Sequence, residues 1–314
     1  MPTVPADSRA PAASGNRSGL FFAVAAYGLW GVLPAYFLLL RPSGAVEIVD
    51  WRILFSLVFC AIVITVTRSW PALVAIIRQP RLLFMLGLAA ILIFINWLVY
   101  VYGTTSGQVV ETALGYFINP IVTVLLGVIL LRERLRMTQW VAVGISVVAV
   151  LILAIDYGAL PWISITLPLS FGLYGLVKKR VGGAVDALSG LAIETAWLVP
   201  VAIIQLVFVG LGGGITIGSA GTAHALLLVS AGVVTAVPLL FFASAARRLP
   251  LVYLGLVQYL APVLQFAFGV FVLHESMPPG RWWGFGLVWV ALVVLSIDLL
   301  ASTRTSRRAS PLSA

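Results

Sequence analysis

Three ionisable side chains stand inside long apolar stretches of the sequence, where an unpaired charge costs several kcal/mol and is retained mainly for pairing or function. They are Arg52, Glu111 and Glu194. An arginine there could bind a substrate carboxylate or act in gating, and either glutamate could carry a proton. Equally, Arg52 and Glu111 could form a structural salt bridge. Glu194 could make a structural hydrogen bond or meet Lys178 or Lys179.

Uncharged polar and aromatic residues also occur within the apolar stretches. Amide groups can recognise a carboxylate, an amine or a hydroxyl group, although a single amide more often joins neighbouring helices. Aromatic rings could line a cavity for an amphipathic or aromatic solute, or could pack in the core. The candidate binding residues of these types are Asn96, Asn119, Gln258, Trp30, Trp97, Tyr116 and Tyr259.

Five prolines within the apolar stretches are candidates for breaking or bending a helix. Proline lacks the backbone N–H and its ring displaces the preceding turn, so it frees a carbonyl group that can bind substrate or lets the helix bend. Each proline could equally be a passive kink. The candidate helix breaks or gating points are Pro34, Pro120, Pro200, Pro238 and Pro262.

Residues for common enzymatic chemistry are scarce. The chain has 2 His and 1 Cys, so we predict no catalytic residue, no metal site and no cofactor. No G-x-x-x-x-G-K-[ST] motif occurs, which argues against ATP hydrolysis by this chain. A membrane-embedded transferase is therefore disfavoured, and a channel or a structural membrane protein is another alternative.

Composition places these residues in a membrane. The chain is 61% hydrophobic and only 9% charged, and apolar runs long enough to cross a bilayer recur along it. We predict an all-α integral membrane protein, with the lipid bilayer as its solvent. The ten predicted transmembrane helices cover residues 19–40, 46–67, 81–103, 108–131, 138–156, 159–178, 187–210, 223–246, 251–273 and 281–301.

The sequence contains an internal repeat. A shift of 142 residues places Pro120 on Pro262 and Glu133 on Glu275, with further matches of Gly, Trp and Asp. Apolar composition alone would not align these residue types. We predict two five-helix units at 19–157 and 158–301, with disordered cytoplasmic tails at 1–18 and 302–314.

The basic residues predict the orientation. The net charge is +9, but the charges lie in alternate loops, which indicates membrane topology and not nucleic-acid binding. With the N-terminus inside, 16 of the 19 Lys and Arg residues fall in cytoplasmic segments, so both termini are predicted there. Because each unit has an odd number of helices, the second must be inverted. Two inverted repeats are typical of transporters that open alternately to each side.

On these residues the chain resembles the EamA branch of the drug/metabolite transporter superfamily. A proline midway through the fourth helix of each repeat and a glutamate at its end carry this resemblance. The segments Ala26-Tyr-Gly-Leu-Trp-Gly31, Leu114-Gly-Tyr-Phe-Ile-Asn-Pro120 and Ile193-Glu-Thr-Ala-Trp-Leu-Val-Pro200 are similar to the RarD subgroup.

The resemblance implies a multi-pass permease of the cytoplasmic membrane that moves a small metabolite, amino acid or drug-like solute, more often outward. The subgroup's name carries a link to chloramphenicol sensitivity, but the resemblance supplies no firm substrate. It implies a central site bounded by helices 1, 3, 4, 6, 8 and 9. Protons as coupling ion and a homodimer are further expectations.

Overall fold

The computed structural model describes residues 12–131, 135–158, 160–181, 183–246, 248–249 and 251–308. Within these residues it is helical and has no strand. The helices are α1 (Ala12–Gly31), α2 (Leu33–Leu39), α3 (Ala45–Val66), α4 (Trp70–Ile77), α5 (Pro80–Thr105), α6 (Val109–Leu131), α7 (Met137–Tyr157), α8 (Trp162–Val181), α9 (Ala187–Leu211), α10 (Thr222–Ala246), α11 (Leu251–Val257), α12 (Leu260–Ala267), a π-helix (Phe268–Val272) and α13 (Pro279–Arg308).

The all-helical membrane class is confirmed. In the described part of the chain, 8 helices are long and apolar enough to cross a membrane, or 9 if α1 and α2, which meet at 41°, form one bent span. Helix α8 covers the predicted span at 159–178 but is not among them; its last turn carries Lys178, Lys179 and Arg180. The number ten therefore stays a prediction.

The helices extend further than predicted at both ends of the chain. Helix α1 begins at Ala12 and α13 continues to Arg308, so residues 12–18 and 302–308 are helical where disordered tails were predicted. Once a helix is nucleated, each added residue gains a backbone hydrogen bond at small cost, which favours such extension. Residues 1–11 and 309–314 of the predicted tails lie outside the described residues.

The packing of the helices joins both halves of the chain. Helix α3 packs against α9 and α10, α6 and α5 pack against α8, α1 packs against α10, and α7 packs against α13. Large apolar side chains such as Phe21, Phe84, Phe208 and Trp283 remain exposed. A surface of this kind suits contact with lipid, while the polar side chains described below are buried between helices.

Two of the five predicted prolines lie beside a helix break. Pro34 follows the break at Val32 between α1 and α2, and Pro262 follows the break between α11 and α12. The other three lie inside helices that continue through them, namely Pro120 in α6, Pro200 in α9 and Pro238 in α10.

Candidate functional site

Arg52 lies between helices, and within the described residues it has no carboxylate partner. It is the eighth residue of α3, about 10 Å from the helix start, and it is 5% exposed. Its Nε atom donates a hydrogen bond of 2.7 Å to Oγ1 of Thr235 on α10. The guanidinium carbon lies 4.2 Å from the Trp97 ring centroid and 5.7 Å from that of Phe37, within cation–π range. Its Nη1 atom is buried and has no hydrogen-bond partner.

A row of aromatic side chains leads away from Arg52. Ring centroids are separated by 5.9 Å from Phe37 to Tyr100, 5.5 Å to Tyr116, 6.4 Å to Phe171 and 6.0 Å to Tyr174. These rings come from α2, α5, α6 and α8. We call this row the aromatic ladder. The edge-to-face and tilted arrangements within it are the ones that aromatic quadrupoles favour.

Asn96 fixes the middle of the aromatic ladder. Its amide nitrogen donates to the Leu167 carbonyl at 3.0 Å and to Ser170 Oγ at 3.2 Å. The Tyr116 hydroxyl donates to the Asn96 carbonyl oxygen at 3.1 Å. Both ends of the amide are thus occupied, and Asn96 joins α5, α6 and α8.

Glu111 makes a different contact from the salt bridge considered for it. Its Oε1 atom accepts hydrogen bonds from the backbone N–H of Ile163 at 3.1 Å and of Ser164 at 3.4 Å. These N–H groups open α8 and have no partner within that helix. No ion pair joins Glu111 to Arg52 in the structure. The carboxylate therefore caps a neighbouring helix, where the helix dipole also favours negative charge.

Glu194 pairs with Lys178, as one of the sequence alternatives had it. The Lys178 Nζ atom lies 2.6 Å from Glu194 Oε1, and the Tyr174 hydroxyl donates to Oε2 at 3.1 Å. Glu194 is the eighth residue of α9, as Arg52 is of α3. Since Tyr174 ends the aromatic ladder, the ladder connects the surroundings of Arg52 with this ion pair.

Asp50 is a buried acid that the sequence analysis missed. It is 0% exposed, and neither carboxylate oxygen has a hydrogen-bond partner in the part of the chain that the structure describes. Its place within the apolar span predicted at 46–67 was the available signal. Asp50 lies near the start of that span, where a carboxylate ordinarily reaches the interface.

Three further contacts close the end of the bundle that the charge pattern predicts to face outward. Glu275 accepts hydrogen bonds from Val109 N–H at 2.7 Å and Val110 N–H at 3.0 Å, at the start of α6. Arg281 lies 3.3 Å from Asp156. Glu47 accepts from the N–H of Thr216 at 2.7 Å. Glu133, the repeat counterpart of Glu275, lies outside the described residues.

A cavity of about 240 Å³ lies near the opposite, predicted inner end. Four sequence candidates line it, namely Asn119 and Pro120 on α6 together with Gln258 and Tyr259 between α11 and α12. Gln139 and Asp298 also line it, and the Gln139 amide donates to Asp298 at 3.2 Å. Asn119 Oδ1 is buried without a partner, so this amide has an acceptor available towards a ligand.

Trp30 belongs to a separate aromatic cluster on α1 and α10. Its ring centroid lies 5.2 Å from that of Tyr27 and 5.9 Å from that of Phe242. Its carbonyl accepts a hydrogen bond of 3.0 Å from Gln265. The structure thus divides the candidate amide and aromatic residues into the Arg52 surroundings, the inner cavity and this cluster. Among the described residues, no three His, Cys, Asp or Glu side chains gather as metal ligands would.

Comparison with known proteins decides the family. The EamA-like transporter family matches residues 17–155. Protein RarD of Streptomyces exfoliatus is 49% identical over 292 residues, covering 93% of this chain and 92% of the relative. This chain belongs to the EamA-like transporter family, in its RarD subgroup.

Other comparisons agree with this EamA membership. Protein RarD of Escherichia coli is 39% identical over 293 residues, covering 93% of this chain and 98% of that protein. A solved crystal structure that is 15% identical covers 90% of this chain and 99% of its own, with a TM-score of 0.59; at that identity it shows a shared fold alone. As a member of this family, the chain is a multi-pass membrane transporter.

Proposed function

We propose that this EamA-family chain is a secondary transporter of the cytoplasmic membrane that exports a small metabolite, an amino acid or a drug-like solute by alternating access. Two inverted five-helix halves move against each other around a polar and aromatic centre. Both termini lie in the cytoplasm, and no enzymatic step is part of this proposal. The candidate site residues above take part in binding, coupling or bending.

The observation that carries the proposal is the symmetry of the helix packing. The repeat pairs α1 and α2 with α8, α3 with α9, α5 with α10, α6 with α11 and α12, and α7 with α13. If each helix is replaced by its repeat counterpart, the α5–α8 contact becomes α10–α1, the α6–α8 contact becomes α12–α1, and the α3–α10 contact becomes α9–α5. All of these contacts occur in the structure. The contacts α3–α9 and α7–α13 map onto themselves. A twofold relation between the halves accounts for every one of these pairs.

The pseudo-equivalent helices differ in one respect that supports movement between two states. Helix α6 continues through Pro120, whereas its counterpart is broken after Val257 and resumes at Leu260, just before Pro262. Two sequence-related helices in different conformations are what a carrier requires when one half is open and the other closed. Pro34, beside the α1–α2 break, is a second bending point.

The distribution of contacts supports an inward-facing state. Glu275, Glu111 and Glu47 tie neighbouring segments together at the predicted outer end, while the cavity lined by Asn119 and Gln258 lies towards the inner end. An exporter loads its solute in this state. Outward transport is also what the family resemblance implies.

Proton coupling and dimer formation complete the proposal. Glu111 and Glu194 are the carboxylates first considered for the proton, and both have hydrogen-bond donors in this state. Asp50 has none, so an ionised Asp50 would lack every compensating contact. We therefore add Asp50 to the coupling candidates. The exposed apolar faces leave room for a second copy of the chain within the bilayer.

The test is solute efflux from intact cells that express the wild type, Glu111→Gln or an empty vector at matched membrane abundance. Cells are loaded with a panel of amino acids and small metabolites, and chloramphenicol tolerance is measured in parallel. The lipid-facing variant Trp283→Phe is the matched control. Saturable, gradient-dependent efflux by the wild type is expected. Efflux that rises linearly with concentration would identify a channel, and efflux equal to the vector across the panel would contradict export.

A further inference from the structure

We infer that the solute is an organic monocarboxylate with a flat apolar body, whose carboxylate pairs with Arg52. This inference rests on the proposed function and names the substrate class of its central site. It begins from the state of the guanidinium group. Arginine stays charged in proteins, and Arg52 is only 5% exposed. Within the described residues no acid pairs with it.

The hydrogen bonds around Arg52 leave a donor without an acceptor. Thr235 occupies Nε alone, and Nη1 has no acceptor. On the neighbouring helix α5, the hydroxyl oxygens of Tyr100 and Thr104 are buried, and neither has a hydrogen-bond partner of good geometry. A group that only accepts hydrogen bonds, and that contacted both Arg52 and Tyr100, would give an acceptor to Arg52 Nη1 and to the Tyr100 hydroxyl. A carboxylate is such a group, and it matches the planar guanidinium fork.

Charge balance restricts the ligand to a single negative charge. Arg52 is the cation of this region, and within the described residues no acid forms an ion pair with it. A dianion such as a phosphate monoester would keep one uncompensated charge inside the bundle, at a cost of several kcal/mol. A monocarboxylate brings the region to neutrality.

The surroundings also define the rest of the molecule. Trp97 and Phe37 flank the guanidinium, and the aromatic ladder continues from Phe37 through Tyr100 and Tyr116. A flat apolar body packs against such faces and edges. The ladder ends at Tyr174, which donates to Glu194, so aromatic surface extends from the Arg52 region to the Lys178–Glu194 pair.

The experiment measures binding of radiolabelled benzoate to the purified full-length protein in lipid nanodiscs, with unlabelled competitors. Benzoate and phenylacetate should compete at least about tenfold more strongly than benzamide, benzylamine or phenyl phosphate. These ligands share a ring and differ in charge, so the comparison uses the wild type alone. It would hold even if a substitution at Arg52 prevented folding.

Variants then assign the effect to one side chain. Arg52→Gln should weaken benzoate binding about tenfold or more, Arg52→Lys should keep part of it, and the exposed control Arg180→Gln should leave it unchanged. Equal competition by benzamide, or undiminished binding to a folded Arg52→Gln variant, would overturn the inference.

Different results would contradict the transport proposal and the carboxylate-binding inference. Saturable efflux of some solute, without any carboxylate binding, would overturn this inference and leave the transport proposal intact. Benzoate binding through Arg52 without efflux of any solute would support the site and contradict the transport proposal.

Discussion

Lys178 Nζ lies 2.6 Å from Glu194 Oε1, and this ion pair joins α8 to α9. The two partners differ in their access to water, since the Lys178 side chain is 27% exposed and that of Glu194 only 2%. Removing Glu194 therefore leaves an ammonium group that water can reach, whereas removing Lys178 leaves a carboxylate that water cannot reach. That difference makes the pair testable.

Lys178→Met should destabilise the protein more than Glu194→Gln. The first change strands a buried carboxylate, at a cost of about 3–5 kcal/mol, whereas the second leaves an ammonium group that can still reach water. The double variant should recover much of the loss. Thermal unfolding in detergent micelles gives the comparison, with Arg180→Met as a control that removes a charge from the same basic run. Equal losses for the two single variants would contradict the buried-pair geometry.

Glu275→Ala should open the predicted outer end. The substitution removes the acceptor for the N–H groups of Val109 and Val110, and leaving them buried and unpaired costs about 1–3 kcal/mol. The population of outward-open molecules should rise accordingly. A cysteine introduced as Thr104→Cys, at a site that is 0% exposed, should then react faster with a membrane-impermeant thiol reagent.

Ser276→Ala is the matched control for this labelling experiment, because Ser276 adjoins Glu275 and is exposed. Native Cys60 is buried and is replaced by Ala in all variants. An unchanged labelling rate in Glu275→Ala would show that Glu275 does not hold the outer end closed.

Glu275 should also give a distinctive pH dependence of stability. Burial raises the pKa of Glu275 above its ordinary value, although the N–H groups of Val110 and Val109 and the charge of Arg281 act in the opposite direction. A carboxyl group whose pKa is raised in the folded state stabilises the folded protein fully at pH values below its unfolded-state pKa of about 4.3. This stabilisation is lost as the pH rises through the folded-state pKa. The wild type should therefore lose stability relative to Glu275→Gln over that window.

The measurement is the difference in unfolding temperature between these two proteins from about pH 4 to about pH 7.5. Glu275→Gln imitates the protonated carboxyl group and adds a constant offset, so the slope of the difference is the test. A difference that does not change with pH, or one that changes in the opposite direction, would contradict the prediction.

Gly232→Ala should separate α10 from α3. A Cβ atom at this position would fall on the backbone carbonyl of Phe55, so the helices would have to move apart and Thr235 would withdraw from Arg52. Overpacking of this kind costs about 1–3 kcal/mol. Gly286→Ala on α13 is the matched control, since an added Cβ there meets no atom within 4 Å. Comparable unfolding temperatures for both variants would argue against close helix contact at Gly232.

Asp50→Asn should keep the fold and remove the dependence of efflux on the proton gradient. The amide is close in shape and neutral, so it places no charge at this fully buried position, but it cannot exchange a proton. The measurement is efflux at matched solute gradients with and without a pH difference across the membrane, with Glu194→Gln in parallel. Efflux by Asp50→Asn that still follows the proton gradient would exclude Asp50 from coupling.

The apolar runs of the sequence predict most of the helices and the burial of Arg52, Glu111 and Glu194. Backbone polar groups must be satisfied within each segment that crosses hydrocarbon, so apolar length predicts helices directly. Each predicted span accordingly overlaps a helix, and Arg52, Glu111 and Glu194 are all buried as expected. The spans at 19–40 and 251–273 are broken within their length, and neither α4 nor the burial of Asp50 was predicted. The same reasoning predicted that Glu194 lies at a depth in the membrane where it can contact Lys178.

Only the tertiary structure decided the partners. Arg52 and Glu111 lie at similar predicted depth, yet Glu111 caps α8 and Arg52 faces Trp97 and Thr235. Hydropathy fixes how deep a residue lies but not which way its helix is turned or which neighbour it meets. Those choices depend on side-chain packing between helices distant in sequence, such as the approach of α10 to α3 that Gly232 permits.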